Sequence, residues 1–195
     1  MTDARRLVEL FEGLAQQRLT VMDLVRGAQP VEAWRLYPGE EGIFDRRTRC
    51  QFYYHAHDDG RDEDGHFHTV RLFANHTVHV AGISMARSGW PQAVFTVNLW
   101  AIGDAYESAA ALKKHVRRFR LDEEHGPADV IRFVNLMFRV FRPEIESLQD
   151  EKMSTLVAHR LAHPDRDPFE DRSLEIVSRV EIDVLARAAS QASTA

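Results

Sequence analysis

The pattern of hydrophobic and polar positions divides the chain into a helical beginning, a β-rich middle and a mainly helical remainder. Residues 3–26 carry apolar side chains at helical spacing, as from Leu7 to Leu14. Gly27 interrupts this pattern, and glycine is common just after the last turn of a helix. We therefore predict an N-terminal helix within residues 1–27.

The pattern changes between residues 47 and 100, where short runs of β-branched and aromatic residues are separated by turn residues. Such runs are typical of strands, and short connections favour antiparallel neighbours. We predict a β-meander of about four antiparallel strands, curved or barrel-like, at residues 49–57, 66–74, 77–85 and 92–100.

Beyond residue 105 the apolar spacing becomes helical again. Pro143 suits the first turn of a helix and separates two helical segments. The stretch Val180-Glu181-Ile182-Asp183-Val184 alternates as a strand would, although its surroundings favour a helix. The predicted helices cover residues 105–119, 128–142, 143–162 and 169–189.

These elements predict an α+β fold in which N- and C-terminal helices pack on the sheet. The length of 195 residues fits one domain, which we place at residues 1–189 with a mainly helical part at 105–189. The small polar residues at 190–195 are expected to form a disordered tail.

Composition narrows the classes of function. The net charge of −5 argues against a protein that binds nucleic acid, because such proteins usually carry a basic surface. Cys50 is the single cysteine, so no disulfide can form within the chain, and we expect a cytoplasmic location. We also expect no signal peptide and no membrane segment, because no apolar run approaches about 20 residues.

The chemistry of this chain is concentrated in two histidine pairs, His55/His57 and His66/His68, on the first two predicted strands. Residues i and i+2 of a strand share one face. Pairing about the middle of the intervening loop places His55 opposite His68 and His57 opposite His66, with all four imidazoles on one face. We predict a metal site in which three of the four histidines are ligands and further coordination positions stay open.

Neutral imidazole binds iron, manganese, zinc and copper, so the sequence leaves the identity of the metal open. A metal-free polar pocket and a solvent-facing histidine patch are the alternatives. The acidic residues 58–65 are expected to form a solvated turn, although Asp62-X-Asp64 resembles part of a calcium loop. Glu63 would instead complete a set of two histidines and one carboxylate. His79 is expected at the surface or at the edge of the core.

Other polar residues are candidates for binding a small, anionic molecule. Tyr53 and Asn98 lie on predicted strands and are expected to line the histidine pocket. Arg132 and Arg139 share one side of a predicted helix, where guanidinium groups would bind a carboxylate or phosphate. The alternative for these arginines is the solvent side of an amphipathic helix.

The segments Gln51–His57 and Gly65–His68, together with Ala81–Met85 and Phe95–Trp100, resemble the signature of an uncharacterised family of bacterial proteins of unknown function. The resemblance covers about residues 30–105 and implies no activity. A weaker likeness to the His-X-His motif of cupins lacks the cupin spacing and a second cupin motif.

Three functions are therefore open from sequence: a metal-dependent enzyme, a non-catalytic binder of metal, haem or a small ligand, and a structural or interaction protein whose histidines titrate. Whether the protein is an enzyme and which oligomeric state it adopts stay undecided. The chain has no Gly-X-Ser-X-Gly motif, no P-loop and no dinucleotide-binding glycine pattern.

Overall fold

The computed structural model describes residues 1–57, 62–103 and 105–193. The fold is α+β, as predicted, and its centre is one antiparallel sheet of six strands in the order β1-β2-β3-β4-β5-β6. Neighbours in the sheet are neighbours in sequence, so the sheet is a meander, and it stays open. The strands are β1 (Ile43–Asp45), β2 (Cys50–Ala56), β3 (Gly65–Leu72), β4 (Thr77–Met85), β5 (Pro91–Val97) and β6 (Ile176–Glu181).

Helices precede the sheet and fill most of the chain between β5 and β6. A short 3-10 turn at Glu123–His125 leads into the apolar helix α5. The helices of the described residues are α1 (Asp3–Gln16), α2 (Val21–Arg26), α3 (Leu99–Ile102), α4 (Ala109–Arg118), α5 (Ala128–Val140), α6 (Arg142–Ala162) and α7 (Val184–Ala192). None of them is both long enough and apolar enough to cross a membrane.

The N-terminal helix differs from the prediction because it is divided into α1 and α2. Thr20 begins α2 with a capping box: its hydroxyl accepts the backbone N–H of Asp23, and the Asp23 carboxylate accepts the backbone N–H of Thr20. Both caps satisfy N–H groups that a helix end leaves without partners. This local hydrogen bonding starts a new helix within the region predicted to be continuous.

One face of the sheet forms the main core. Phe67 of β3 contacts Phe133 of α5, with ring centroids 5.3 Å apart, and Phe11 of α1 lies 5.8 Å from the same ring. Helices α1 and α5 therefore cover this face through their apolar sides. Because side chains alternate along a strand, His66 and His68 project from the opposite face.

Four further parts of the chain differ from the prediction. The fourth predicted strand, 92–100, ends at Val97 in β5, and residues 99–100 belong to α3. The predicted helix at 169–189 is wrong, because residues 176–181 form β6 and pair with β5, and α7 starts only at Val184. The short strand β1 was not predicted. At the expected tail, residues 190–192 belong to α7, whereas 194–195 lie outside the described residues.

A candidate metal centre on the histidine face of the sheet

The pairing of β2 with β3 brings the histidines together in a register two residues away from the predicted one. His55 lies opposite His66, and Tyr53 lies opposite His68. His57 follows the last residue of β2, and its backbone N–H donates to the carbonyl oxygen of Asp64. The four rings nevertheless meet on one face, because a shift of two residues preserves the alternation of sides.

Three imidazole nitrogens converge at the centre of this face. The Nε2 atoms of His55 and His66 lie 2.6 Å apart, and those of His66 and His68 lie 3.0 Å apart. His66 and His68 are buried, and His55 is half-buried. A tetrahedral ion with metal–nitrogen bonds of about 2.0–2.1 Å separates its ligand atoms by about 3.3 Å. Small ring movements would therefore accommodate an ion among these residues, which we call the trihistidine site.

The other nitrogen of His66 belongs to a second group. Its Nδ1 atom lies 3.1 Å from Oε1 of Glu63 and 3.2 Å from Nε2 of His57. These three residues could also hold an ion, and we call them the carboxylate site. Glu63 thus lies close to His57 and His66. These three residues form a set of two histidines and one carboxylate, which was the alternative considered from sequence. Residues 58–61 of the acidic segment lie outside the described residues.

Hydrogen bonds behind the cluster hold its members in place. The Ser84 hydroxyl donates to Oε2 of Glu63, and the amide of Gln92 donates to the Ser84 hydroxyl with an N–O distance of 3.0 Å. Nδ1 of His68 lies 3.2 Å from Nε2 of His79. Metal-binding histidines commonly carry such a partner on the nitrogen that does not face the ion.

Aromatic side chains surround the histidines. Phe95 covers them from β5, with its ring centroid 5.0 Å from that of His66. Gly82 leaves the space for this ring, because a Cβ atom at residue 82 would overlap Phe95. On the outer side, Trp34 approaches His57 edge-on at 4.5 Å, although 53% of Trp34 is exposed.

Burial keeps the inner histidines neutral. It lowers the pKa of His68 well below 6.5, and repulsion from His66, His55 and His57 lowers it further. Burial likewise lowers the pKa of His79 well below 6.5, assisted by His68 and Lys152. A neutral imidazole has one nitrogen lone pair free to bind a metal, so deprotonation imposes no barrier to binding at neutral pH.

Tyr53 lies beside two of the histidines. Its ring centroid is 5.2 Å from that of His68 and 6.4 Å from that of His55. Asn98 has a different environment: its amide nitrogen donates to the carbonyl oxygens of Pro168 and Leu174. Asn98 is thereby engaged in joining β5 to a distant segment, and these contacts give no support to a role in the pocket.

The two arginines lie on the solvent side of α5. Arg132 pairs with Glu123 and Asp129, at 3.0 and 2.9 Å, and Arg139 is 3.6 Å from a carboxylate oxygen of Asp3. Because α5 packs on the sheet face opposite the histidines, the expected placement of its arginines in the histidine pocket is not found. Both side chains are exposed and lie near carboxylates, as is usual on the solvent side of an amphipathic helix.

Several residues of the centre could not be recognised as such from sequence. His79 was expected at the surface or core edge, but it is buried beside His68. Trp34, Ser84 and Phe95 carry no motif, and their places depend on how distant strands pair. The mirrored spacing of the two histidine pairs was the informative signal.

An open antiparallel sheet with helices on its core face and a buried histidine cluster on the other defines an α+β protein with a candidate metal centre. Residues 1–182 match the model of a family described as a domain of unknown function, DUF6969, and the chain belongs to that family. No curated protein and no solved structure matches it. The family membership agrees with the resemblance seen in the sequence and supplies no activity.

Proposed function

We propose that this protein is a metal-dependent enzyme that binds a divalent transition metal ion through His55, His66 and His68. The observation that carries the proposal is the convergence of three Nε2 atoms on a buried face. Those of His55 and His66 lie 2.6 Å apart, and those of His66 and His68 lie 3.0 Å apart. The donor set favours zinc, copper, iron or manganese, because imidazole is a good ligand for these ions.

The second nitrogen of each buried ligand supports this assignment. If His66 binds through Nε2, its Nδ1 carries a proton and donates it to Glu63, which lies 3.1 Å away. If His68 binds through Nε2, its Nδ1 donates in the same way to His79, at 3.2 Å. Both arrangements fix the ring orientation and the tautomer that a metal requires.

The shape of the site favours catalysis over a purely structural role. Three protein ligands leave at least one coordination position for water or substrate, as in catalytic zinc sites. His55 and Tyr53 are half-buried, and Trp34 is partly exposed, so this side of the cluster borders solvent. An ion held here would act as a Lewis acid on a small molecule that enters from this side.

Elemental analysis of tag-free protein, purified without chelators, tests metal binding. We expect near-stoichiometric metal in the parent protein and its loss in the His66→Ala variant. His125→Ala is the matched control, because His125 is exposed and lies outside the cluster. If the parent stays metal-free after anaerobic reconstitution with iron, manganese, zinc and copper, the proposal is wrong.

An open coordination position has its own test. Cobalt(II) replaces zinc in many sites and reports ligand changes in its visible spectrum. Adding azide to the cobalt-substituted protein should shift the d–d bands, because the anion enters the open position. Unchanged bands at saturating azide would indicate a closed, structural site and contradict the enzymatic proposal while leaving metal binding intact.

A further inference from the structure

We propose that the histidine cluster holds two metal ions and that the His66 ring bridges them. This inference rests on the proposed function, because one of the two ions is the ion of the trihistidine site. The second ion would lie in the carboxylate site, formed by His57, Glu63 and His66.

The ligand atoms of the carboxylate site are spaced as a metal ion requires. Its three ligand atoms are Nε2 of His57, Oε1 of Glu63 and Nδ1 of His66, separated by 3.1, 3.2 and 3.7 Å. The ligand atoms of a tetrahedral ion lie about 3.3 Å apart. In this respect the carboxylate site fits an ion at least as well as the trihistidine site does.

Burial and hydrogen bonding indicate a built site. The side chains of His57, Glu63 and His66 are 1%, 7% and 5% exposed. Ser84 donates to one oxygen of Glu63 and thereby directs the other oxygen to the two histidines. A buried carboxylate is costly unless a positive charge compensates it, and a cation between Glu63 and His57 would do so.

His66 is the residue that joins the two sites. Its Nε2 faces His55 and His68, while its Nδ1 faces His57 and Glu63. In the one-ion state, Nδ1 keeps a proton and donates it to Glu63. A second ion displaces this proton to the solvent, and His66 becomes an imidazolate bound to metal at both nitrogens.

The pair of ions also indicates a class of substrate. Two divalent ions carry more positive charge than one imidazolate and one carboxylate neutralise. The occupied centre is therefore cationic and attracts a small anion such as a carboxylate or phosphate. Its nitrogen-rich ligands favour zinc and copper over magnesium and calcium, which prefer oxygen.

Metal content distinguishes one ion from two. Chelator-treated protein is loaded with zinc, passed through a desalting column and analysed for zinc per chain. We expect two ions in the parent, one in Glu63→Gln, one in His68→Ala and two in the control His125→Ala. Glu63→Gln keeps the shape of the side chain and removes its charge, and circular dichroism of each variant checks its fold.

A spectroscopic test needs no variant. The first equivalent of copper(II) should give a normal paramagnetic resonance signal, and the second should reduce the signal per copper because an imidazolate couples the two ions. Two equivalents that give twice the uncoupled signal would overturn the bridge.

The outcomes separate this inference from the proposed function. One zinc in the parent, unchanged in Glu63→Gln, would overturn the two-ion centre and leave the trihistidine site in place. Two zincs in both proteins would also overturn it, because Glu63 would then hold no ion. Zinc-free protein in every case would remove both proposals together.

Discussion

Gly82 shows how one small residue shapes the candidate centre. It lies on β4 opposite Phe95, and the missing side chain lets the phenylalanine ring lie across the strand beside His66. The space is fully used, because a Cβ at residue 82 would overlap three atoms of that ring. The packing of the histidines therefore depends on Gly82, although this residue is not itself a candidate ligand.

Replacing Gly82 with alanine should force Phe95 toward the histidines. We expect a loss of about 1–3 kcal/mol in the free energy of unfolding, as in other overpacked cores, together with weaker zinc binding. Chemical denaturation and a zinc-competition assay measure the two effects. Gly13→Ala is the control: nothing lies within 4 Å of the added methyl group, so this helix should gain about 0.5–1 kcal/mol. Normal zinc affinity in a destabilised Gly82→Ala protein would argue against the link between Phe95 and the site.

Trp34 is a second residue whose position makes a prediction. Its ring lies 4.5 Å from His57, whereas Trp90 packs against Phe11 and Trp100 donates to Asp171. Copper(II) at the cluster should quench the fluorescence of Trp34 because the metal is close to the indole. We expect Trp34→Phe to lose most of the quenching and Trp100→Phe to keep it. Equal quenching in both variants would place the copper elsewhere.

At the scale of elements, the side chain of Asn98 connects β5 with α3 and with the segment that precedes β6. Besides its two donated hydrogen bonds, its side-chain oxygen accepts the backbone N–H of Leu99 at 2.8 Å. The side chain is fully buried, and it pairs with the carbonyl oxygens of Pro168 and Leu174 and with the N–H of Leu99. Asn98 therefore links the end of β5 to the start of α3 and to the segment that precedes β6.

Asn98→Ala should lower the free energy of unfolding by about 1–3 kcal/mol, because the carbonyl oxygen of Pro168 and the N–H of Leu99 lose this partner, whereas the Leu174 carbonyl keeps its bond from Trp100. Metal content should not change. Thermal melts and zinc analysis measure both, with the exposed Asn75→Ala as control. Loss of zinc from a still-folded Asn98→Ala protein would indicate that Asn98 contributes to the metal site, as predicted from the sequence.

The four central strands could be predicted because each has a local pattern and a short connection to its neighbour. The three-residue β1 is too short to show alternation, and β6 pairs with a strand distant in sequence, across helices α3 to α6. Its alternating residues were visible in the sequence, but nothing local favoured them over a helix.

The register of the histidine hairpin depends on one residue that the loop-centred prediction ignored. Gly65 pairs with Ala56, and a Cβ at residue 65 would overlap the backbone of β2. A side chain at residue 65 would not fit in this register, in which His55 lies opposite His66. The sequence therefore predicted which histidines share a face but not which nitrogens face one another, since that depends on Gly65 and on partners from β4.

At the scale of the whole molecule, the neutral histidines couple stability to pH. The pKa values of His68 and His79 lie below 6.5 in the folded protein, where both are buried, and near 6.5 in the unfolded chain. Below about pH 6.5 the unfolded chain therefore binds more protons, so protonation favours unfolding. The stabilising contribution is present above pH 6.5 and is lost as the pH falls toward the folded values.

We expect the metal-free protein to lose stability below about pH 6.5, with a slope of up to about 1.4 kcal/mol per pH unit for each of the two histidines. Denaturation in chelator between pH 5 and 8 measures this slope. His125→Ala should reproduce it, because His125 is exposed. A flat profile would mean that His68 and His79 titrate alike in both states.

The strictly sequential order of the strands has a consequence for incomplete chains. All ligands of the candidate centre precede β4, so they are present in a fragment that ends after β5. In such a fragment the backbone N–H and C=O groups along the outer side of β5 would have no strand to pair with, because β6 would be missing. Unpaired strand edges recruit other chains. Truncation before residue 176 should therefore produce a species that still attracts metal but self-associates through β5.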